Sequence, residues 1–320
     1  MTAFSWEKLE KPIVCLAPMA GYTDSAYRQI VKSIAPETIC FSELTSINAI
    51  GHNSQKTEEM LKFAEIEQPL IIQLFGKDPD FFVKAGKKLE HLKVSGIDIN
   101  MGCPAKKVVC SEYGSALLNN PQLAGEIVNK LSKAIKIPVS VKMRIGYKTY
   151  DEQKFTEFVK ILEQAGAQAI TIHGRTTKQG YSGEADWAPI HLAKTLIKIP
   201  VIGNGDIDTP ETAQKRLENL DGIMIGRATV GNPWLLREIH EKLHSEKPTK
   251  SPETLEQKLP TIKKHLHLAI KTYGEKIGIL EMRKHLAGYI SSIPGAKSLR
   301  VKLMQAPSEE EVLKILGDFL

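Results

Sequence analysis

The sequence has no run of eighteen consecutive apolar residues, so no part of its 320 residues reads as a membrane-spanning helix. Cysteine is scarce. The four present, Cys15, Cys40, Cys103 and Cys110, have neither C-x-x-C nor zinc-knuckle spacing, since Cys103 and Cys110 stand seven apart. A metal site is therefore not expected, and a reduced cytosolic chain is. The opening segment, MTAFSWEKLEKP, has no apolar signal core, which adds to the expectation of a cytoplasmic protein. There is no low-complexity tract. Neither charge dominates: 43 Lys+Arg stand against 37 Asp+Glu, a net of +6, and 42% hydrophobic content is ordinary for a globular chain.

What is present is a repeated alternation. Short apolar runs rich in β-branched residues fall at 13–20, 38–44, 70–76, 96–104, 138–146, 169–176, 200–207 and 221–228. Most are continuous rather than alternating, as strands buried on both faces should be. Helical segments lie between them. Asp78-Pro79, Asn120-Pro121, Thr209-Pro210 and Asn232-Pro233 each set a capping side chain before a proline. Proline suits that place because the first helical amide has no partner to lose. Eight β/α units predict an α/β protein of the (β/α)8 TIM-barrel type, although a doubly wound sheet shares the pattern.

After residue 245 the pattern changes. Residues 244–260, HSEKPTKSPETLEQKLP, read as a linker, and the spacing then predicts helices over 259–274 and 279–293. A last helix opens at Ser308, with Glu311 three residues on as a capping box. The expected organisation is a barrel over 1–245 and a small all-helical domain over 246–320. The second part holds 13 Lys/Arg against 9 Asp/Glu, and so most of the net charge. Two readings fit: a solvated lysine-rich surface, or a surface for a polyanion.

Barrel active sites lie at the C-terminal ends of the strands. Here every strand end carries polar residues: APMAGYTD (17–24), Glu43, Gln73, Asn100 with Cys103, Lys142 with Arg144, His173 with Arg175, Asn204-Gly205-Asp206, and Gly226-Arg227. The last two pairs suit a phosphate, because glycine lets backbone amides approach an anion and arginine adds a bidentate contact. They would also serve as plain tight turns. Lys142 interrupts an apolar strand and needs an acceptor, either a ligand or a salt bridge. His173 fits a core histidine, a ring-contacting donor or a phosphate ligand. Cys103, between Gly102 and Pro104, sits on a fixed bend where a thiol can serve as acid or nucleophile. Cys110 is the second choice for that role.

Together APMAGYTD, SELTS, QLFGKDPD, DINMGCPAKKV, GSALL, VKMRIGY, TIHGRT, IPVIGNGDI and DGIMIGRATVGNPW resemble the bacterial tRNA-dihydrouridine synthases, with NMGCPAKKV and GRATVGNPW nearest the B-type branch. The likeness spans the barrel, and RKHL (283–286) carries it into the helical part. It implies flavin mononucleotide (FMN) at the barrel mouth, NADPH as reductant, and hydride transfer to C6 of a tRNA uracil while Cys103 protonates C5. Pro18, Met19, Ala20, Gln73, Lys142, His173, Asn204, Gly205, Asp206, Gly226 and Arg227 match the family's flavin-binding positions. Asn100 would orient the uracil. Arg144 and Arg175 would meet base or phosphate, and Arg283 and Lys284, with Lys297, Arg300 and Lys302, would meet tRNA. One departure is Val109-Cys110-Ser111-Glu112-Tyr113, where relatives often carry a glycine-rich or basic stretch; the loop is expected to cover the uracil. A monomer with no membrane partner is expected. The rival readings are another flavin barrel acting on a small molecule, and an RNA-binding barrel without catalysis.

Overall fold

The computed structural model describes residues 4–51 and 61–320. Its strands are β1 (Ile13–Leu16), β2 (Ile39–Phe41), β3 (Thr45–Ser46), β4 (Leu70–Phe75), β5 (Gly96–Met101), β6 (Val139–Gly146), β7 (Ala169–Thr176), β8 (Val201–Asn204) and β9 (Gly222–Ile225). All pairings among them are parallel. β1 pairs with β9 and β2 with β4, so the sheet closes into an eight-stranded ring. β3 continues the line of β2 after a break at 42–44 and rejoins the sheet beside Leu74 and Phe75 of β4. The predicted closed (β/α)8 barrel is therefore the fold, and the doubly wound alternative is excluded.

The continuous apolar runs have the burial that predicted them. Every residue of β5 and β7 is buried. One set of side chains fills the barrel axis: Ile13, Cys15, Ala17, Ile39, Phe41, Ile71, Ala169, Ile202 and Met224, with Trp6 packed among them. A larger set, including Leu16, Leu74, Ile97, Ile99, Val141 and Ile172, packs outward against the surrounding helices. Each fully buried leucine or isoleucine contributes about 1.5–3 kcal/mol relative to exposure. Cys15 and Cys40 are buried apolar filler, as expected.

Three helix starts form as predicted. The side chains of Asp78, Asn120 and Thr209 accept backbone N–H bonds at the heads of Pro79–His91, Pro121–Ala134 and Pro210–Leu217. The fourth does not. The helix Trp234–Leu243 follows Pro233 with no side-chain cap, so Asn232 does not cap it. Asn232 instead donates its N–H to Thr229 O in the preceding turn.

The C-terminal region is helical, but its first boundaries differ from expectation. The predicted linker is shorter, because a helix already runs over Leu255–Tyr273 and carries Pro260 inside it. Thr254 and Gln257 form its capping box, which outweighs the local Pro-rich composition. The next helix spans Glu275–Tyr289, four residues earlier than predicted, and Ala296–Gln305 is a further helix the periodicity missed. Ser308 Oγ accepts the Glu311 N–H at the head of Glu309–Gly317. Leu255, Ile262, Leu266, Met282, Leu286, Leu299, Leu303, Val312 and Leu316 form a core of their own, joined by Ala26 and Trp234 of the barrel. The helical region is thus seated on the barrel's first helix, Ser25–Ile34.

Candidate active site

Alternation along a strand puts residues i and i+2 on one face. Asp98 and Asn100 of β5 lie in register with Ser140 and Lys142 of β6, and Gln73 of β4 with Asp98. The side chains meet in a hydrogen-bonded chain. Ser140 Oγ donates to Asp98 Oδ1 at 2.7 Å, and Gln73 Nε2 donates to Asp98 Oδ2 at 2.8 Å. Asn100 Nδ2 donates to Gln73 Oε1 at 2.8 Å. Asn100 Oδ1 then accepts the N–H groups of Gly102 at 3.1 Å and Cys103 at 2.9 Å. From the other side, Ser115 N and Oγ donate to Cys103 O at 3.2 and 2.9 Å. The Cys103 bend is therefore held by both Asn100 and the GSALL segment. Cys103 is partly exposed at the barrel mouth, whereas Cys110 lies on the outer surface of the following loop. That loop leans on the end of β4, through a Lys77–Glu112 ion pair and the rings of Phe75 and Tyr113.

Lys142 donates to Asn204 Oδ1 at 3.0 Å, its one hydrogen bond among the described residues. An ammonium has three donors, so two remain for a ligand. Withdrawal from water, with Arg144 nearby, pulls its pKa down to about 8. Asn204 is fixed in turn by donating to Met224 O at 2.7 Å. Burial, then the charges of Lys142, Arg144, Arg175 and Arg227, hold His173 far below its ordinary value, so its imidazole is neutral. A neutral ring can both donate and accept at this mouth.

The arginines differ in what they have left to offer. Arg144 Nε donates to Gly102 O at 2.8 Å, and its Nη1 to the carbonyls of Thr176 and Gly180 at 2.9 and 2.8 Å. It braces three loops. Arg175 grips Asp206 with two nitrogens, at 2.8 and 2.6 Å, and donates to Ser182 O at 3.2 Å. Arg227 reaches Asp206 Oδ1 at 3.2 Å and is otherwise exposed. Asp206 is thus a hub for arginines rather than a free acceptor. Sequence reasoning missed Tyr181, which is 59% exposed and sits 4.7 Å from the Arg227 guanidinium and 5.7 Å from that of Arg144. Its only signal was an aromatic in a polar loop.

Both glycine turns are in place. Gly205 has φ +130°, and a Cβ there would lie 2.7 Å from Ala185 Cβ and 3.1 Å from His173 Cδ2. A Cβ on Gly226 would stand beside Ala17 and the Met19 sulfur at 3.4 and 3.5 Å, which brings the β1 and β9 ends together. The short 3-10 helix Arg227–Thr229 starts directly after Gly226. Pro18, Met19 and Ala20 form the exit from β1, and Thr23 Oγ1 accepts the Met19 N–H at 2.9 Å. Of the basic residues expected to meet tRNA, Lys284 comes to the barrel mouth. It pairs with Glu281 and lies 5.3 Å from the Tyr22 ring, and a Cβ on Gly21 would be 3.7 Å from its Nζ. Arg283 is half-buried, with its Nε unbonded, and Lys297, Arg300 and Lys302 are exposed on the helix Ala296–Gln305.

Fold and site together define a parallel (β/α)8 barrel with a cationic, glycine-turned mouth. The dihydrouridine synthase family profile matches residues 15–319, and the chain belongs to that family. It is 38% identical over 300 residues to "Probable tRNA-dihydrouridine synthase 1" of Synechocystis sp., covering 93% of this chain and 83% of that protein. It is 37% identical over 289 residues to "tRNA-dihydrouridine synthase B" of Pseudomonas aeruginosa, covering 90% and 86%. Among solved structures, the barrel resembles the old yellow enzyme homologue from Zymomonas mobilis, with a TM-score of 0.55 at 18% identity over 78% of this chain and 93% of that one. That likeness concerns the fold alone. Among the described residues, no helix is long and apolar enough to cross a membrane.

Proposed function

We propose that this protein reduces uridines in tRNA to 5,6-dihydrouridine, with FMN bound at the barrel mouth and NADPH as the reductant. The observation that carries the reading is the convergence of Lys142, the Cys103 bend and the two glycine turns at one end of the barrel. The site residues suit FMN. Gly226 leaves room for a phosphate beside the Gly205 turn, Arg227 supplies an exposed cation there, and two Lys142 donors are free for a carbonyl edge. When bound, that group supplies the hydride for C6 of the uracil ring.

The remaining chemistry belongs to the chain's own side chains. Hydride arrival at C6 drives charge toward O4, and a proton must reach C5. The Cys103 thiol, held on a fixed bend, is the proton donor in this reading. The uracil must leave its stack to lie in the mouth. Residues 246–320 would grip the tRNA backbone while the barrel 1–245 takes the base, with Lys284 where the two surfaces meet. The reading includes a monomer working in the cytoplasm, where tRNA is found.

The test is direct. Purified protein, FMN, NADPH and an unmodified tRNA transcript are incubated, and dihydrouridine is quantified by mass spectrometry of the digested RNA. Conversion by the native protein, lost in Cys103→Ala while NADPH oxidation continues, is the expected result. Full conversion by Cys103→Ala would remove the proton-donor role. No conversion by the native protein would remove the function.

A further inference from the structure

We infer that Asp98 is a positioning residue for Cys103: through Gln73 and Asn100 its carboxylate orients the bend that carries the thiol. The inference rests on the reading of Cys103 as proton donor. Asp98 lies wholly inside the barrel on β5, between Gln73 of β4 and Ser140 of β6. A carboxylate there is costly to bury, and an apolar residue would fill the same place without that cost. What the carboxylate adds is direction. An ionised carboxylate only accepts, so Gln73 must turn its NH2 toward Asp98 and its carbonyl toward Asn100. Asn100 must then give its NH2 to Gln73 and its carbonyl to the backbone, where it takes the N–H groups of Gly102 and Cys103.

Every link is a donor meeting an acceptor, and the order is set at both ends, by the Asp98 carboxylate and by the backbone N–H groups of Gly102 and Cys103. Without an acceptor at 98, the Gln73 NH2 is left unpaired; Gln73 could then turn over and set its NH2 against that of Asn100, which would push Asn100 off the backbone N–H groups it holds. The bend would then lose its hold on the Asn100 side and lean on the Ser115 contacts and the Arg144 bond to Gly102 O. Burial pushes the Asp98 carboxyl up to about 6, opposed by the bonds from Gln73 and Ser140 and by the Lys142 charge. It therefore stays an acceptor at neutral pH, and the chain keeps its direction there.

The experiment uses the full-length holoprotein in a Cys110→Ser background, comparing native Asp98 with Asp98→Ala and Asp98→Asn. Two quantities are read: the rate of Cys103 alkylation by iodoacetamide, followed by mass spectrometry, and kcat and KM with a tRNA transcript. Asp98→Ala should lower kcat by about 10–100-fold while KM for tRNA stays within about twofold. Its Cys103 alkylation rate should shift by more than about threefold as the bend loosens. Asp98→Asn should recover both to within about threefold, because its carbonyl still accepts from Gln73. Unchanged alkylation and kcat in Asp98→Ala would overturn the proposal, and so would an Asn variant as impaired as the Ala variant. If Asp98→Ala does not fold, Gln73→Met cuts the chain one link nearer the thiol, and an unchanged alkylation rate there overturns the proposal equally. The alkylation readout needs no turnover, so it judges Asp98 even if the native protein makes no dihydrouridine.

Discussion

Arg175 and Asp206 face each other fork to fork across the ends of β7 and β8, with guanidinium nitrogens 2.8 and 2.6 Å from the two carboxylate oxygens. The same carboxylate accepts the Ala185 N–H at 2.8 Å, so it also ties down the loop that carries Tyr181. Arg175 is almost wholly buried, and Asp206 is about one-third exposed with a side-chain accessibility of 31%. Removing the acid leaves a buried guanidinium unpaired. Asp206→Ala should therefore destabilise the fold by about 2–3 kcal/mol, a figure trimmed for the partial exposure of the acid. Urea unfolding measures it; a loss below about 0.5 kcal/mol would show the pair to be idle.

The same pair fixes an acid limit. Burial alone would raise the Asp206 pKa, but the bonds from Arg175 and Ala185 outweigh it and hold the carboxyl below its usual value. A depressed carboxyl contributes stability that is fully present above the unfolded value near 3.9, and this is lost as pH falls through the folded value. The steepest loss from this group should come below about pH 4, and Asp206→Asn should flatten it. A native protein and an Asp206→Asn variant with parallel acid profiles would contradict this.

Lys142 should set the alkaline limit of activity. Its pKa is lowered to about 8, so a step that uses the ammonium should decline as pH rises through that value. Activity at pH 9 should stand at about a tenth of its neutral plateau if Lys142 alone sets the limb. The stability effect has the opposite sign. Because the folded pKa lies below the unfolded one, raising the pH from about 8 to about 10 removes the penalty of the buried charge. In Lys142→Arg the guanidinium stays charged, so the inflection near 8 should disappear from the kcat/KM profile. An inflection that persists in that variant would belong to another group.

Much of this was legible because barrel strands have a simple demand. Strands such as β7 (Ala169–Thr176) and β5 (Gly96–Met101) are buried on both faces, and continuous apolar runs announce that without tertiary knowledge. Polar residues that break those runs, Lys142 and Asn100 among them, stand out for the same reason. Their partners did not stand out. That Asn100 serves the Cys103 backbone, and that Arg144 is spent on three carbonyls, depends on how neighbouring strands align. Asp98 was hidden inside its motif, since only the register shows that Gln73 and Ser140 converge on it. Tyr181 lies in a loop with no periodicity to read. The start at Leu255 was missed because the Thr254–Gln257 box outweighed a Pro- and Lys-rich surround.

The two glycine turns should behave differently when filled. Gly205 combines φ +130° with a 2.7 Å approach to Ala185, so Gly205→Ala strains the backbone and crowds His173. It should cost about 1–3 kcal/mol of stability as well as cofactor retention. Gly226 lies at φ −117°, and its added methyl would meet Ala17 and Met19 at 3.4 and 3.5 Å. Gly226→Ala should therefore fold with a loss below about 1 kcal/mol, yet block the approach of a phosphate and weaken FMN binding by about tenfold or more. Fluorescence titration with FMN, paired with thermal melting, separates the two effects. Unaltered FMN affinity in Gly226→Ala would move the phosphate away from this turn.

Lys284 offers the sharpest test of the helical region. It reaches from the helix Glu275–Tyr289 to Gly21 and Tyr22 at the barrel mouth, close to the acids Glu43 and Asp24, whose pKa values burial raises, with the Lys284 charge among the smaller opposing effects. A lysine held there could brace the two parts of the molecule or present its charge to an incoming phosphate. The readouts separate these roles. A phosphate contact predicts that Lys284→Ala raises KM for tRNA by about 5–10-fold, with kcat at saturating tRNA nearly unchanged. The slope of log KM against log salt should also lose about one charge, since one fewer counterion is displaced. A brace predicts a lower melting temperature with KM and salt slope intact. Its pairing with Glu281 leaves the ammonium partly neutralised, so Glu281→Gln is the matching variant. If Lys284 meets RNA, Glu281→Gln should tighten tRNA binding where Lys284→Ala weakens it. If Lys284 is a brace, both substitutions should weaken the same interface.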